Sequence, residues 1–123
     1  KAVLENIEFG FAMAKKIAGA DMGQTIVVKK KTVLAVEAIE GTDEAIRRGA
    51  ALGHGGIVVV KVAKPNQDMR FDVPAVGLKT LQELISAKAE ALAFEAGKTL
   101  FLGKDIFVER ANREGIALFG VSV

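Results

Sequence analysis

The sequence contains no cysteine, tryptophan or tyrosine, and His54 is its only histidine. Without cysteine the chain can form no disulfide, no thiolate nucleophile and no cysteine-based zinc or iron–sulfur site. A single histidine is too few for a histidine-based metal site. This composition suits a reducing compartment, and we expect a cytoplasmic protein.

Long uncharged apolar runs are also absent. No stretch approaches the roughly 18 apolar residues that a membrane-spanning helix needs. The N-terminal stretch VLENIEFGFAMAKKIAG carries two glutamates and two lysines, so it is predicted to be neither a membrane span nor a signal peptide. The net charge is only +2 and every aromatic residue is phenylalanine. Nucleic-acid binding favours a stronger basic bias and stacking aromatics, so we expect no nucleic-acid partner.

What the sequence does have is apolar content. Half of its 123 residues are hydrophobic, which excludes a disordered chain and suffices for one domain with a core. The chain starts at Lys1 rather than at methionine, which suggests a piece of a longer protein.

The apolar pattern predicts an α/β fold, a single domain with a mixed sheet covered by helices. Two β-branched runs are predicted to form an antiparallel hairpin, and later strands alternate with helices as parallel units do. Thr42 is predicted to cap the second helix. The predicted helices span residues 3–18, 42–52, 78–96 and 105–114, and the predicted strands span residues 24–29, 32–39, 57–63, 99–102 and 116–121.

Two familiar catalytic patterns are rejected. The stretch GHGG at 53–56 runs from a helix into a strand, so it presents carbonyl groups rather than the amides of a phosphate loop. We interpret it as a glycine helix terminus with His54 on the surface. A serine triad is excluded because Ser86 falls inside a predicted helix, Ser122 lies at the end of the chain, and no G-x-S-x-G motif occurs.

The stretch EAIEGTDEAI has two interpretations. Strand, turn and capped helix explain it fully, and capping is the commoner reason for a Thr-Asp-Glu sequence. A helix N-terminus also favours anions, so its amides together with Thr42 could hold a phosphate. The spacing alone favours the structural interpretation.

The stretch KPNQDMRFDVPAVG leaves the end of an apolar strand, which is where open α/β sheets place their ligands. Asp68 and Asp72 lie four residues apart, and one or two carboxylates are what Mg²⁺ typically takes from a protein. Lys61, Lys64 and Arg70 add positive charge that suits phosphate. This inventory fits phosphoryl-ester or pyrophosphate chemistry. The alternative is a solvated turn with weak ion pairs, and the residues alone leave both open.

Three stretches together resemble one family. EAIEGTDEAIRRG, GGIVVVKVAKPNQDMRFDVPAVGLKT and GIALFGV look like the C-terminal domain of the UDP-2,3-diacylglucosamine pyrophosphatases of the LpxI type, which act in lipid A synthesis. The similarity begins near Asn6 and runs to the end of the chain. It implies that residues 1–123 are the C-terminal, catalytic-type domain of a two-domain protein, that the N-terminal domain is absent from this chain, and that the isolated domain is inactive.

The resemblance implies Mg²⁺-dependent hydrolysis of a lipid-linked UDP-sugar, UDP-2,3-diacylglucosamine, to UMP and 2,3-diacylglucosamine 1-phosphate, known as lipid X. The missing N-terminal domain would be a partner in this reaction. Contact with the inner-membrane surface would come through the lipid substrate, so the expected location is cytoplasmic and peripheral to that membrane.

The resemblance also implies site residues. Asp68 would be the essential carboxylate, as metal ligand or water activator, with Asp72 as its catalytic partner. Glu40 would join these two aspartates as a metal ligand. The implied substrate- and phosphate-binding residues are Lys61, Lys64, Gln67, Arg70, Thr42 and Asp43.

Two other functions stay open. A non-catalytic domain could bind a nucleotide or sugar phosphate and regulate a partner domain, and it would need the same basic pocket but no metal. Alternatively the apolar first helix could be buried in a homodimer, which is compatible with either of the other functions.

Overall fold

The computed structural model describes residues 2–20, 22–63 and 75–121. In these ranges the chain forms four helices and seven strands. The elements in chain order are α1 (Ala2–Gly19), β1 (Thr25–Lys29), β2 (Thr32–Val36), α2 (Thr42–Gly53), β3 (Val58–Lys61), β4 (Ala75–Val76), α3 (Leu78–Ser86), β5 (Ala91–Glu95), β6 (Leu100–Phe101), α4 (Lys104–Arg113) and β7 (Ala117–Val121).

Five strands form the main sheet, in the order β2-β1-β3-β5-β7. β1 runs antiparallel to both β2 and β3, whereas β3, β5 and β7 are parallel. The short strands β4 and β6 pair in parallel as a separate small sheet. The predicted α/β class, the mixed sheet and the antiparallel hairpin are therefore confirmed.

Helices cover both faces of the main sheet. α1 packs on one face over Ile26, Val28, Val58 and Val60, and α2, α3 and α4 cover the other face, where Val27 and Val59 point. Successive side chains of a strand alternate between faces, so β1 and β3 need apolar residues at nearly every position. This double burial explains the continuous runs TIVV and VVV. None of the helices in the described ranges is long and apolar enough to cross a membrane.

The β1–β2 turn is made by two lysines in a glycine-like conformation. Lys30 and Lys31 have φ values of 50° and 56°, which is the pattern of a type I′ hairpin turn. The backbone N–H of Lys31 donates to the Asn6 side-chain oxygen at 2.7 Å, which ties the turn to α1. The hairpin thus forms without the Asn-Gly sequence that usually marks this turn.

The helix predicted over residues 78–96 is wrong in its second half. α3 ends at Ser86, Lys88 has a φ of 54°, and Ala91–Glu95 form strand β5 inside the sheet. The residues of ALAFE are mostly good helix formers, which misled the periodicity argument. Burial between β3 and β7 decides the conformation, because four of the five residues are fully covered in the sheet.

Close contact between α2 and the sheet depends on Gly49. A Cβ atom at Gly49 would lie 2.4 Å from Cγ1 of Val27, a distance that forces a displacement. The opposite face has a similar contact, where a Cβ at Gly10 of α1 would lie 2.8 Å from Cγ2 of Val60. Both helices therefore pack on the sheet at a glycine.

We predict that Gly49→Ala destabilises the domain. Because the added Cβ would lie 2.4 Å from Val27 Cγ1, we expect an overpacking cost in the upper part of the range of about 1–3 kcal/mol. This cost exceeds the roughly 1 kcal/mol that alanine gains in helix propensity. Urea unfolding measures the difference. Gly19→Ala is the matched control, since no atom of the described residues beyond its chain neighbours and its own helix lies within 4 Å of a Cβ built there. A Gly49→Ala protein more stable than the parent chain would contradict this packing.

Candidate functional site

Lys61 joins three elements at one edge of the sheet. It is the last residue of β3, and its Nζ donates to Oγ1 of Thr42, the first residue of α2, at 2.9 Å. The same ammonium donates to the carbonyl oxygen of Ala75, the first residue of β4, at 3.2 Å. A strand end, a helix start and the residue that follows the 64–74 segment therefore meet at one cation.

Further polar side chains extend this cluster. The Thr42 hydroxyl lies 3.2 Å from Oγ1 of buried Thr25 and 3.5 Å from Oε1 of Glu37. On the far side of Thr42, Asp43 accepts a hydrogen bond from the Thr80 hydroxyl at 2.7 Å, which links the start of α2 to α3. The cluster is therefore held from β1, β3, α2 and α3.

Thr42 does not cap α2 as predicted. The N-cap is Gly41, at φ 93° and ψ 166°, and it makes no side-chain cap hydrogen bond. This φ favours glycine, and glycine has no side chain with which to cap. Thr42 therefore lies inside the helix, and its hydroxyl is used by Lys61 instead. Gly41 thus supplies no side-chain cap to the first-turn amides of α2, and helix N-terminal amides together with the helix dipole favour an anion.

Burial lowers the pKa of Lys61. Loss of solvent lowers the pKa of Lys61 below its ordinary value of 10.5, and the negative charges of Glu37 and Asp43 counteract only part of this effect. A partly buried cation gains more from an approaching anion than a fully hydrated one does. Lys61 is thus suited to bind a phosphate group.

Glu40 lies near the start of α2, but its carboxylate is engaged elsewhere. Oε1 accepts the backbone N–H of Ala38 at 2.7 Å, and Oε2 pairs with the guanidinium of Arg48. The Ala38 N–H and Glu40's own N–H, with help from Arg48, lower the pKa of Glu40. Its role as a metal ligand stays a prediction, and metal binding there would have to compete with Arg48.

Most of the predicted catalytic segment lies outside the described residues. This applies to Lys64, Gln67, Asp68, Arg70 and Asp72, whose roles stay predictions. Within residues 2–20, 22–63 and 75–121, no three acidic or histidine side chains are grouped to hold a metal ion. The expected Mg²⁺ site at Asp68, Asp72 and Glu40 stays a prediction.

A second charged group lies at the neighbouring strand end and was missed by sequence reasoning. Glu95, the last residue of β5, is 1% exposed, and its Oε1 accepts from Lys15 Nζ at 2.9 Å and from the Ala63 N–H at 3.0 Å. Lys98 Nζ lies 3.4 Å from the other carboxylate oxygen. Burial alone would raise the pKa of Glu95, but the bonds from Lys15 and Ala63 together with the charge of Lys15 lower it. A signal was available, because a glutamate in the apolar run ALAFE needs a partner.

Sequence reasoning also missed Thr25 and Thr80. Thr25 pairs directly with Lys61 in the β1–β3 register, and it is a buried polar residue in an apolar strand. Recognising Thr25 would have required knowing that β1 lies beside β3. Thr80 reaches Asp43 only because α2 and α3 pack together, which periodicity does not reveal.

An apolar groove of about 570 Å³ lies between α1 and β7. Its lining includes Leu4, Phe11 and Phe119, and among the described lining residues only Glu8 is charged. A negative charge in an apolar lining does not suit a phosphate group. The polar cluster around Lys61 suits one better, because it places a partly buried cation at a helix start, and we take it as the candidate site.

The sequence matches the family model of the LpxI C-terminal domain over residues 1–119. This chain belongs to that family. A curated relative is the UDP-2,3-diacylglucosamine pyrophosphatase LpxI of Caulobacter vibrioides, which is 33% identical over 127 residues. The alignment covers 96% of this chain and 45% of the relative, so the chain spans less than half of that protein's length.

A similar fold occurs in a solved structure of RibD from Acinetobacter baumannii. The TM-score is 0.57, and the match covers 94% of this chain and 35% of that one. The sequence identity is 14%, so the likeness concerns the fold alone.

We predict that Lys61 titrates below pH 10.5, the ordinary lysine value, in an NMR titration of its side chain. Between the folded pKa and 10.5 the unfolded chain binds more protons at this lysine than the folded chain does. Relative to a Lys61→Met variant, the parent chain should therefore gain stability as the pH rises through this window. A midpoint at or above the ordinary value would contradict the burial of this ammonium.

Proposed function

We propose that the complete protein hydrolyses the diphosphate of UDP-2,3-diacylglucosamine, giving UMP and 2,3-diacylglucosamine 1-phosphate for lipid A synthesis. The reaction adds water across the phosphoanhydride, so one new P–O bond forms while the bridging P–O bond breaks. The family membership and the name of the Caulobacter vibrioides relative, a UDP-2,3-diacylglucosamine pyrophosphatase, support this reaction. The structural observation that supports it in this chain is Lys61, a partly buried cation at the start of α2, where the N-cap residue is Gly41.

Charge is the main obstacle in this chemistry. A diphosphate is anionic and repels an attacking nucleophile, so a catalyst must place positive charge at the phosphoryl oxygens. Lys61 and the first-turn amides of α2 supply fixed positive charge at one place. Lys64, Gln67 and Arg70 would contact the same diphosphate from the adjoining segment. Thr42 keeps the Lys61 ammonium directed towards this edge.

Mg²⁺ is the proposed metal, because hard carboxylate oxygens are the ligands it prefers. Asp68 and Asp72 would hold it, with Glu40 as a third candidate ligand, and when bound it would neutralise charge on the diphosphate. Asp68 would also orient the attacking water and accept its proton. The described residues would contribute Lys61 and the start of α2 to this site.

The proposed location follows from the substrate. A lipid-linked UDP-sugar lies at a membrane surface, so the protein would act in the cytoplasm, at the inner-membrane face, without spanning the membrane. The rest of the two-domain protein would complete the binding site, and for that reason we propose that this domain alone is inactive.

The direct experiment is an assay of the two-domain protein with UDP-2,3-diacylglucosamine, with and without Mg²⁺, beside this chain alone. We expect release of UMP only from the two-domain protein with Mg²⁺. Binding of the UDP-sugar without release of UMP under any of these conditions would contradict the proposal and indicate a regulatory binding domain.

We predict that Lys61→Met lowers kcat/KM about 10²–10³-fold, the range seen when one group that stabilises transition-state charge is removed. Thr42→Val should lower kcat/KM about tenfold, as expected for loss of the hydrogen bond that orients Lys61. Steady-state kinetics on the two-domain protein measures both effects.

Two variants serve as controls for this prediction. Thr42→Ser keeps the hydroxyl and should stay close to the parent activity. Lys30→Met removes a lysine from the β1–β2 turn, at the opposite end of β1 from Thr25, and should have no effect. Equal losses in Lys61→Met and Lys30→Met would show that only net charge matters and would contradict a site at Lys61.

A further inference from the structure

We propose that Glu95 and Lys15 are positioning residues, which fix the direction in which the chain leaves β3 and enters the 64–74 segment. This inference rests on the proposed function, because the proposed function is what gives the 64–74 segment a catalytic role. Glu95 on β5 and Lys15 on α1 lie outside the predicted site, yet both would affect turnover.

Glu95 contacts the backbone of Ala63, the residue before the segment. Ala63 is buried and immediately precedes the segment, and its N–H donates to Glu95 Oε1 at 3.0 Å. Lys15 Nζ lies 2.9 Å from the same carboxylate oxygen and 3.4 Å from the Ala63 carbonyl oxygen. The ion pair therefore binds both backbone polar groups of this one residue.

Val62, the residue before Ala63, is held by two further hydrogen bonds. The N–H of Val62 donates to the Gln24 carbonyl oxygen at 2.8 Å, and the Gln24 side chain donates back to the Val62 carbonyl at 3.0 Å. Gln24 holds the chain from the β1 side, while Glu95 holds it from the β5 side. The exit of β3 is thus fixed on both flanks.

The contact between Glu95 and Ala63 uses a buried charge. A buried ion pair is a weak source of stability, because the cost of desolvation offsets much of the attraction. Its advantage is geometric, since hydrogen bonds to a charged acceptor are short and strong. An apolar residue at position 95 would fill the core yet leave the Ala63 N–H without this acceptor.

Ala75, the residue after the segment, is also held by a charged side chain. Lys61 Nζ donates to its carbonyl oxygen at 3.2 Å. One pair of charges thus anchors the residue before the segment, and the proposed phosphate-binding lysine anchors the residue after it. Displacement of a catalytic group by about 1 Å can cost roughly 10²-fold in rate, so the anchors matter to catalysis.

The test compares Glu95→Ala, Glu95→Gln and Lys15→Met in the two-domain protein. Glu95→Ala should lower kcat about 10–100-fold with a smaller change in KM, since it displaces groups that act on the bound substrate. Glu95→Gln keeps an oxygen for the Ala63 N–H and should recover most of that loss. The control Glu109→Gln breaks an exposed ion pair with Arg113 on α4 and should leave kcat unchanged.

Amide hydrogen exchange supplies a readout that does not depend on activity. In Glu95→Ala the Ala63 amide should exchange about tenfold faster or more, while the strand amides of Val59 and Val60 keep their protection. If Glu95→Ala fails to fold, Glu95→Gln and Lys15→Met carry the test. We expect Ala63 exchange to rise in Lys15→Met and to change little in Glu95→Gln.

The outcomes separate this inference from the proposed function. Unchanged Ala63 exchange in Glu95→Ala and Lys15→Met would overturn the inference and leave the proposed function standing. The inference would also be overturned if Ala63 exchanged faster in Glu95→Ala and Lys15→Met while kcat stayed unaltered and Asp68→Ala abolished activity. In that case the Glu95–Lys15 pair would have a structural role only. Absence of turnover in the parent two-domain protein would instead overturn the proposed function.

Discussion

The contact of Lys61 with Thr42 and Ala75 is the interaction on which the site depends. An ammonium at the end of an apolar strand is costly to desolvate, and the fold offsets that cost with a hydroxyl, a backbone carbonyl and two nearby carboxylates. None of these partners forms a direct ion pair with Lys61 among the described residues. Within the described ranges the charge is therefore oriented by neutral hydrogen-bond acceptors rather than by a carboxylate in contact, an arrangement that suits an anionic ligand.

The parallel arrangement of β3 and β5 explains why two charged clusters lie close together. Both strands end at the same edge of the sheet, so Lys61 and Glu95 occupy neighbouring strand ends. Lys61 faces the start of α2, whereas Glu95 faces α1 through Lys15. Between them the chain passes through Val62 and Ala63 into the segment with Asp68. The sheet thus determines where the segment begins. Glu95 of β5 and Lys15 of α1 contact Ala63 before it, and Lys61 of β3 contacts Ala75 after it.

Sequence reasoning succeeded where local pattern and tertiary environment agree. The apolar strands, the hairpin and the first helix follow from periodicity, and the family follows from distinctive motifs. It failed at β5, because burial in the sheet overrides the helix propensity of ALAFE, and at Thr42, because Gly41 takes the cap position. In the candidate site Lys61, Thr42 and Asp43 were predicted, whereas Thr25, Thr80 and the Lys15–Glu95 pair depend on which strands and helices become neighbours.

The central claim is that a phosphate group binds at Lys61 and the start of α2. The most direct measurement is an NMR titration of this domain with UDP, following the backbone amides and the Lys61 side chain. The account predicts saturable shifts at Thr42, Asp43 and Lys61, with a rise in the pKa of Lys61 as the anion binds. Shifts confined to the apolar groove of α1 and β7, or no shift around Lys61 at saturating UDP, would contradict it.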